Sequence, residues 1–169
     1  MAAVGIAYVG IPVLGLVWLR LQPAFGLAAV LFLFLAVWVT DIGAYAVGRT
    51  VGGPKLAPRI SPGKTWSGLI GGVTLSGLTG AAFAAYVGEA SSVRLGLVAV
   101  VLGVAAQIGD LFESALKRRS GLKDSSTIIP GHGGLLDRVD GLVAAVALVT
   151  LIAVSQYSDA PARGLILGR

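Results

Sequence analysis

The chain is 169 residues long, 56% hydrophobic and only 12% charged, with a mean hydropathy of +0.88 and a formal charge of +5. So apolar a composition excludes an ordinary water-soluble domain and predicts an all-α polytopic membrane bundle of about five spans. The sequence contains no cysteine, which rules out disulfides, thiolate metal sites and cysteine nucleophiles.

Most Lys and Arg residues flank apolar segments, so the positive charge reads as a topology signal and no nucleic-acid partner is expected. No linker is long enough to separate two folded units, and residues 1–169 read as a single membrane-embedded domain. Val4 to Leu19 is a continuous apolar run containing Pro12, just short of the roughly 20 residues that cross a hydrocarbon core. It lacks a basic leader and a cleavage site, so it reads as a span rather than a signal peptide. Ala24 to Gly48 is the second span, with Asp41 in its last third on one helical face with Trp38 and Tyr45.

Arg49 to Trp66 is punctuated by Gly and Pro and reads as a basic loop, with Arg49, Lys55, Arg59 and Lys64 and no acid. Its fragment SPGKT, Ser61 to Thr65, imitates the end of a phosphate-binding P-loop. The first glycine of that motif would fall at Pro58, and no strand is expected before it, so the weaker reading is kept: a loop able to meet phosphate or anionic lipid. Ser67 to Gly88 is the third span, with Gly68, Gly72, Ser76, Gly80, Ala84 and Gly88 at every fourth position. That is a ridge on which another helix can pack closely.

Arg94 to Leu116 is the fourth span, and its end carries Gln107, Asp110, Ser114 and Lys117 as a polar stripe with Glu113 beside it. Leu135 to Gln156 is the fifth, with Asp137 and Asp140 on one face of its first turn; the tail from Tyr157 to Arg169 carries no signal. The two basic loops are separated by two spans and therefore emerge on the same side, which the positive-inside rule makes cytoplasmic. Asp41, Asp110, Glu113, Asp137 and Asp140 then converge near one rim, beside Lys and Arg.

Carboxylates at helix ends with cations in the adjoining loops suit a magnesium-bound polyphosphate. Mg²⁺ is usually held by one or two carboxylates plus substrate phosphates, while Arg and Lys neutralise phosphate oxygens. Gly131, Gly133 and Gly134 would let backbone amides approach a phosphate. The constellation points to phosphoryl or nucleotidyl transfer at a membrane surface. Each part also has a structural reading: Lys117 to Arg119 as a topology anchor, His132 as a loop hydrogen-bonder, Asp137 with Arg138 as an ion pair, Asp41 as a proton carrier in a transporter. Anchoring accounts for the cations but not for the further carboxylates on the same rim.

The stretch from Ser114 to Asp140 resembles the signature of phosphatidate cytidylyltransferases, also called CDP-diacylglycerol synthases. Ser114, Lys117, Arg118, Lys123, Asp124, Ser126, Ile129, Pro130, His132, Gly133, Gly134, Asp137, Arg138 and Asp140 fall at that family's spacing. DIGAYAVGR from Asp41 and RISPGKTWSG from Arg59 are similar to it as well. The resemblance implies a Mg²⁺-dependent enzyme of phospholipid biosynthesis, joining CTP and phosphatidic acid into CDP-diacylglycerol and pyrophosphate. It lies among membrane lipids of a bacterial inner membrane with its site towards the cytoplasm, and the resemblance raises the expectation of a homodimer.

Carried over by position, Asp110 and Asp137 would bind the metal with Asp140 in support, and Lys117, Arg118, Lys123 and Arg138 would hold phosphates, with Asp124 in the same catalytic set. His132, Gly133 and Gly134 would line the nucleotide site, and Ser61, Lys64 and Ser114 would lie on the substrate side. Members of that family carry several more N-terminal spans, so a truncated or short form is expected. Two alternatives are a CTP-dependent lipid-alcohol (polyprenol) kinase and a chain without catalysis, either an inactive truncated form or an ion-coupled transporter.

Overall fold

The computed structural model describes residues 2–119, 140–156 and 159–168, and their side chains except those of residues 2–7, 9 and 156. The elements run α1 (Ala2–Arg20), α2 (Gly26–Thr50), β1 (Lys55–Ala57), β2 (Ser61–Thr65), α3 (Trp66–Val87), α4 (Ser92–Arg119), α5 (Asp140–Gln156) and α6 (Pro161–Leu167). Among the described residues, α2, α3 and α4 are long and apolar enough to cross a membrane, and α1 and α5 are apolar as well. A helix satisfies its backbone internally, which is what hydrocarbon demands.

Large apolar side chains point outward: Ile42, Ile70, Leu78, Leu97, Ile108 and Leu151 are each 61–68% exposed. Small residues line the seams instead. Gly68, Gly72, Ser76, Gly80 and Ala84 are all buried, as their four-residue spacing predicts. A Cβ added at Gly68 would lie 2.6 Å from the Ala44 carbonyl oxygen on α2, and one at Gly80 would lie 2.5 Å from that of Leu95 on α4. Within this ridge the Ser76 hydroxyl lies 2.9 Å from the Ala36 carbonyl and 3.2 Å from that of Ala99, so α3 is hydrogen-bonded into both neighbours by one shared proton. Lipid gives helices no hydrophobic reason to associate, so close backbone approach supplies the cohesion.

The crossing of α4 and α5 uses the same device. A Cβ at Gly109 would meet Ala144 Cβ at 2.5 Å and the Asp140 carbonyl at 3.0 Å, and one at Gly141 would meet the Ala106 carbonyl at 3.0 Å. Asp110 and Asp140 are therefore each one residue from the point of closest approach. Larger buried groups fill the middle of the bundle, with Phe32 and Phe83 rings 5.5 Å apart and Leu33, Leu95 and Leu102 fully enclosed.

Two stretches differ from the sequence reading. Residues 49–66 are not only loop: β1 and β2 form an antiparallel hairpin with Lys55 opposite Thr65, Ala57 opposite Ser61 and an irregularity between. SPGKT is β2 itself, so the rejection of a P-loop holds on different ground: its lysine sits in a strand, not in a phosphate-cradling turn. Two glycines in the left-handed region, Gly52 and Gly53, turn the chain away from α2. The hairpin is then fastened to α3 by Trp66 N–H donating to the Pro54 carbonyl at 3.1 Å and by the Ser67 hydroxyl donating to the Gly52 carbonyl.

The tail, expected to be uninformative, contains α6. Pro161 opens it, Gly168 closes it in the left-handed conformation, and Leu165 and Ile166 are fully buried. Arg94, at the start of α4, donates to the carbonyls of Leu165 at 2.9 Å and Gly164 at 2.7 Å, a cation against a helix C-terminus. Replacing Arg94 with Met is expected to cost about 1–3 kcal/mol, because it strands acceptors that water reaches poorly. A lowered midpoint of thermal unfolding in detergent, with no change at the opposite end of the bundle, would be the observation.

Candidate functional site

The end of the bundle that holds the hairpin also holds the C-termini of α2 and α4 and the N-termini of α3 and α5. Its described cations are Arg49, Lys55, Arg59, Lys64, Lys117, Arg118 and Arg119; the other end has Arg20, Arg94 and Arg163. A cavity of about 510 Å³ opens here, between α2, the hairpin and the polar end of α4. Asp41, Tyr45, Arg49, Lys55, Lys64 and Thr65 line it, with Gln107 and Asp110 from α4.

Local sequence explains how these side chains are aimed. Thr65 ends β2 and caps α3, its hydroxyl accepting from Gly68 N–H at 3.1 Å, so the strand runs directly into the helix. Gly48 has no side chain to collide with this cap; a Cβ there would lie 2.9 Å from Thr65 Oγ1. The hairpin therefore lies tightly on the end of α2, and Lys64, one residue before the cap, reaches across to α4.

Lys64 Nζ is 2.6 Å from Asp110 Oδ2 and donates to Gln107 Oε1 at 2.9 Å. Gln107 Nε2 donates in turn to Asp41 Oδ1 at 2.9 Å, and the Ser114 hydroxyl donates to Asp110 Oδ1 at 3.3 Å. One connected chain, Asp41, Gln107, Lys64, Asp110 and Ser114, thus spans α2, β2 and α4. One turn further along α4, Lys117 pairs with the buried Glu113 at 3.5 Å. Asp140, at the start of α5, lies close enough to Asp110 for their charges to repel.

The structure therefore brings together Lys64, Asp110, Ser114 and Asp140 of the expected site. Ser61 stands at the other end of β2, outside the cavity lining, Lys117 is engaged by Glu113, and Arg118 is exposed at the end of α4. Lys123, Asp124, His132, Gly133, Gly134, Asp137 and Arg138 lie outside the described residues. Sequence reasoning set Asp41 on the same rim, Gln107 on the stripe of Asp110, and Arg49 and Lys55 in a loop able to meet phosphate, but it gave none of these, nor Tyr45 or Thr65, a role in the site. Gln107 had a usable signal, an amide on the same stripe as Asp110 in an otherwise apolar helix.

Oxygen donors from Asp110 and Asp140, on facing helices and beside phosphate-compatible cations, fit a hard divalent cation such as Mg²⁺. Among the described residues no three His, Cys, Asp or Glu side chains cluster as a metal site, and Asp137, the further expected ligand, lies outside them.

Comparison with known proteins identifies the family. The model of the Cytidylyltransferase family matches residues 1–155. The chain is 49% identical over 160 residues to a phosphatidate cytidylyltransferase of Brucella suis biovar 1, covering 94% of this chain and 59% of that protein. It is 44% identical over 144 residues to the enzyme of that name from Haemophilus influenzae, covering 79% of this chain and 50% of that protein. With the Staphylococcus epidermidis protein of that name it shares 43% over 150 residues, 88% of this chain and 56% of the relative. The chain thus spans between half and three-fifths of the length of these curated relatives.

Proposed function

Because the chain belongs to the cytidylyltransferase family, we propose that it carries the catalytic half of a phosphatidate cytidylyltransferase, converting CTP and phosphatidic acid into CDP-diacylglycerol and pyrophosphate. The observation that carries this reading is the placement of Asp110 in the lining of a cation-bearing cavity, bracketed by Lys64 and Ser114 and set against Asp140 by the glycine crossing. A phosphate oxygen of phosphatidic acid attacks the α-phosphorus of CTP, and the bond from that phosphorus to the bridging oxygen of the β-phosphate breaks. Pyrophosphate leaves with the electron pair, so no protein nucleophile is required.

Asp110, with Asp140 in support, would hold Mg²⁺, which when bound supplies charge neutralisation for the departing pyrophosphate. Lys64, Lys55 and Arg49, all on the cavity wall, would neutralise phosphate oxygens, Arg bidentately and Lys as a point charge. Rigid placement matters more here than proton transfer, and the fastening of the hairpin to α3 provides it. The excess of Lys and Arg at this end supports a cytoplasmic orientation in a bacterial inner membrane.

The test is transfer of label from cytosine-labelled CTP into chloroform-soluble product by the purified chain, in mixed micelles with phosphatidic acid, with and without Mg²⁺. Mg²⁺-dependent label in lipid is the expected result. Release of CDP with unlabelled lipid would mean phosphoryl transfer and a lipid kinase instead. No label at all from a folded preparation would count against catalysis by this chain.

A further inference from the structure

The carboxylate best placed to take a metal ion already has a cation on it, and that cation belongs to the chain. Lys64 Nζ lies 2.6 Å from Asp110 Oδ2, with the two side chains 19% and 31% exposed. Behind it, Gln107 is only 4% exposed and has both ends of its amide committed. An ammonium can only donate and a carboxylate can only accept, so Lys64 on one side and Asp41 on the other fix which way that amide points.

We propose that Lys64 is a built-in counter-ion, held on Asp110 by Gln107, that must leave the carboxylate before a divalent cation takes it, with Gln107 as the positioning residue that sets its resting place. The inference rests on Asp110 being a metal ligand, as the proposed function has it. Two cations within a few ångströms of one partly buried carboxylate repel strongly, so occupancy by Lys64 and by a metal is exclusive. Space for the displaced ammonium exists, since Lys64 lines the same 510 Å³ cavity as Arg49 and Lys55. A phosphate entering that cavity would offer the acceptor that Asp110 withdraws. Lys64 thus exchanges a carboxylate for a phosphate, and an empty site keeps its charges paired. Burying a carboxylate without a partner is costly, which gives the arrangement its resting stability.

The experiment uses the full chain in detergent without nucleotide, with Mn²⁺ as probe and free Mn²⁺ counted by electron paramagnetic resonance. Lys64→Met is expected to bind Mn²⁺ about tenfold more tightly than the unaltered chain, the equivalent of about 1.4 kcal/mol. Adding Asp110→Asn should abolish that gain. Unchanged or weaker binding by Lys64→Met overturns the inference while leaving Asp110 as a ligand wherever Asp110→Asn alone reduces binding. A gain that survives Asp110→Asn overturns both the inference and the metal assignment beneath it.

A second readout needs no substitution at Lys64. Acetylation of Lys64 by an amine-reactive reagent, followed by peptide mass spectrometry against exposed Lys55 as internal reference, should accelerate several-fold on adding Mn²⁺. In Gln107→Met the acetylation should already be fast without Mn²⁺, an effect that a purely structural glutamine would not have on one lysine. A Lys64 rate indifferent to both Mn²⁺ and Gln107→Met would refute the counter-ion role.

Discussion

Asp110→Asn is expected to reduce cytidylyl transfer by on the order of 10³-fold or more while leaving the helix bundle assembled. Asparagine keeps the shape and can still hydrogen-bond Ser114, but it removes the negative charge that pairs with Lys64 and that a divalent cation would use. The same change at Asp140, which approaches Asp110 from α5 without sharing its hydrogen bonds, is expected to cost about 10–100-fold, the scale of a supporting group. Initial rates of label transfer from CTP at saturating Mg²⁺, measured beside thermal unfolding in detergent, separate loss of chemistry from loss of fold. Equal rates for the Asp110 variant and the unaltered chain would remove Asp110 from the reaction.

The second large effect concerns assembly. Gly72 lies where α3 meets α2 so closely that a Cβ would run into the Thr40 carbonyl oxygen and lie 2.9 Å from the Ala44 nitrogen. These are backbone atoms, which cannot turn aside as the end of a flexible side chain can. Gly72→Ala is expected to cost about 3 kcal/mol by prising the two helices apart, and Gly72→Leu to prevent the bundle from forming. Gly10 supplies the contrast, since nothing lies within 4 Å of a Cβ there. Gly10→Ala should leave stability unchanged or raise it slightly through helix propensity. Thermal midpoints and limited proteolysis of the three variants would decide, and a Gly72→Leu protein as protease-resistant as the unaltered chain would mean that the seam is not where the structure puts it.

How much of this was legible in the sequence follows from the range of each interaction. The helices were, because long apolar runs have few other solutions in a membrane, and so was the small-residue ridge of α3, because a spacing of four survives without knowledge of the partner. The polar stripe from Gln107 to Lys117 was legible for the same reason, although Lys117 pairs with Glu113 rather than turning to the cavity. The hairpin was not. Its strands are short, carry Pro and Gly, and show no clean alternation, and they persist because Trp66, Ser67 and Thr65 tie them to the helix that follows.

The link from Asp41 through Gln107 to Lys64 was equally hidden. It joins residues 66 and 43 positions apart, and it exists only because α2, β2 and α4 pack as they do. Helix α6 was a different kind of miss, since its opening proline and closing glycine were in plain view. What concealed its burial was Arg163 in its middle and the distance to Arg94, the residue that anchors it. Of the candidate site, Asp110, Ser114 and Asp140 were legible as polar groups at one end of apolar helices, and the family resemblance added Lys64 and the expected roles; the packing gave the neighbours.

The seams of this bundle, where hydrogen or methyl groups meet backbone, have a consequence for how its sequence can drift. In a water-soluble helical bundle, truncating a large interior side chain is the characteristic damaging change, and surface positions accept almost anything polar. At these seams enlarging a residue is the damaging change, whereas outward positions such as Ile70, Leu78 and Leu97 should accept any apolar side chain and reject charge. Neutral variation along the spans therefore falls on exchanges among Leu, Ile, Val and Phe on their outward faces, and a random library would show the smallest seam residues among the most intolerant positions.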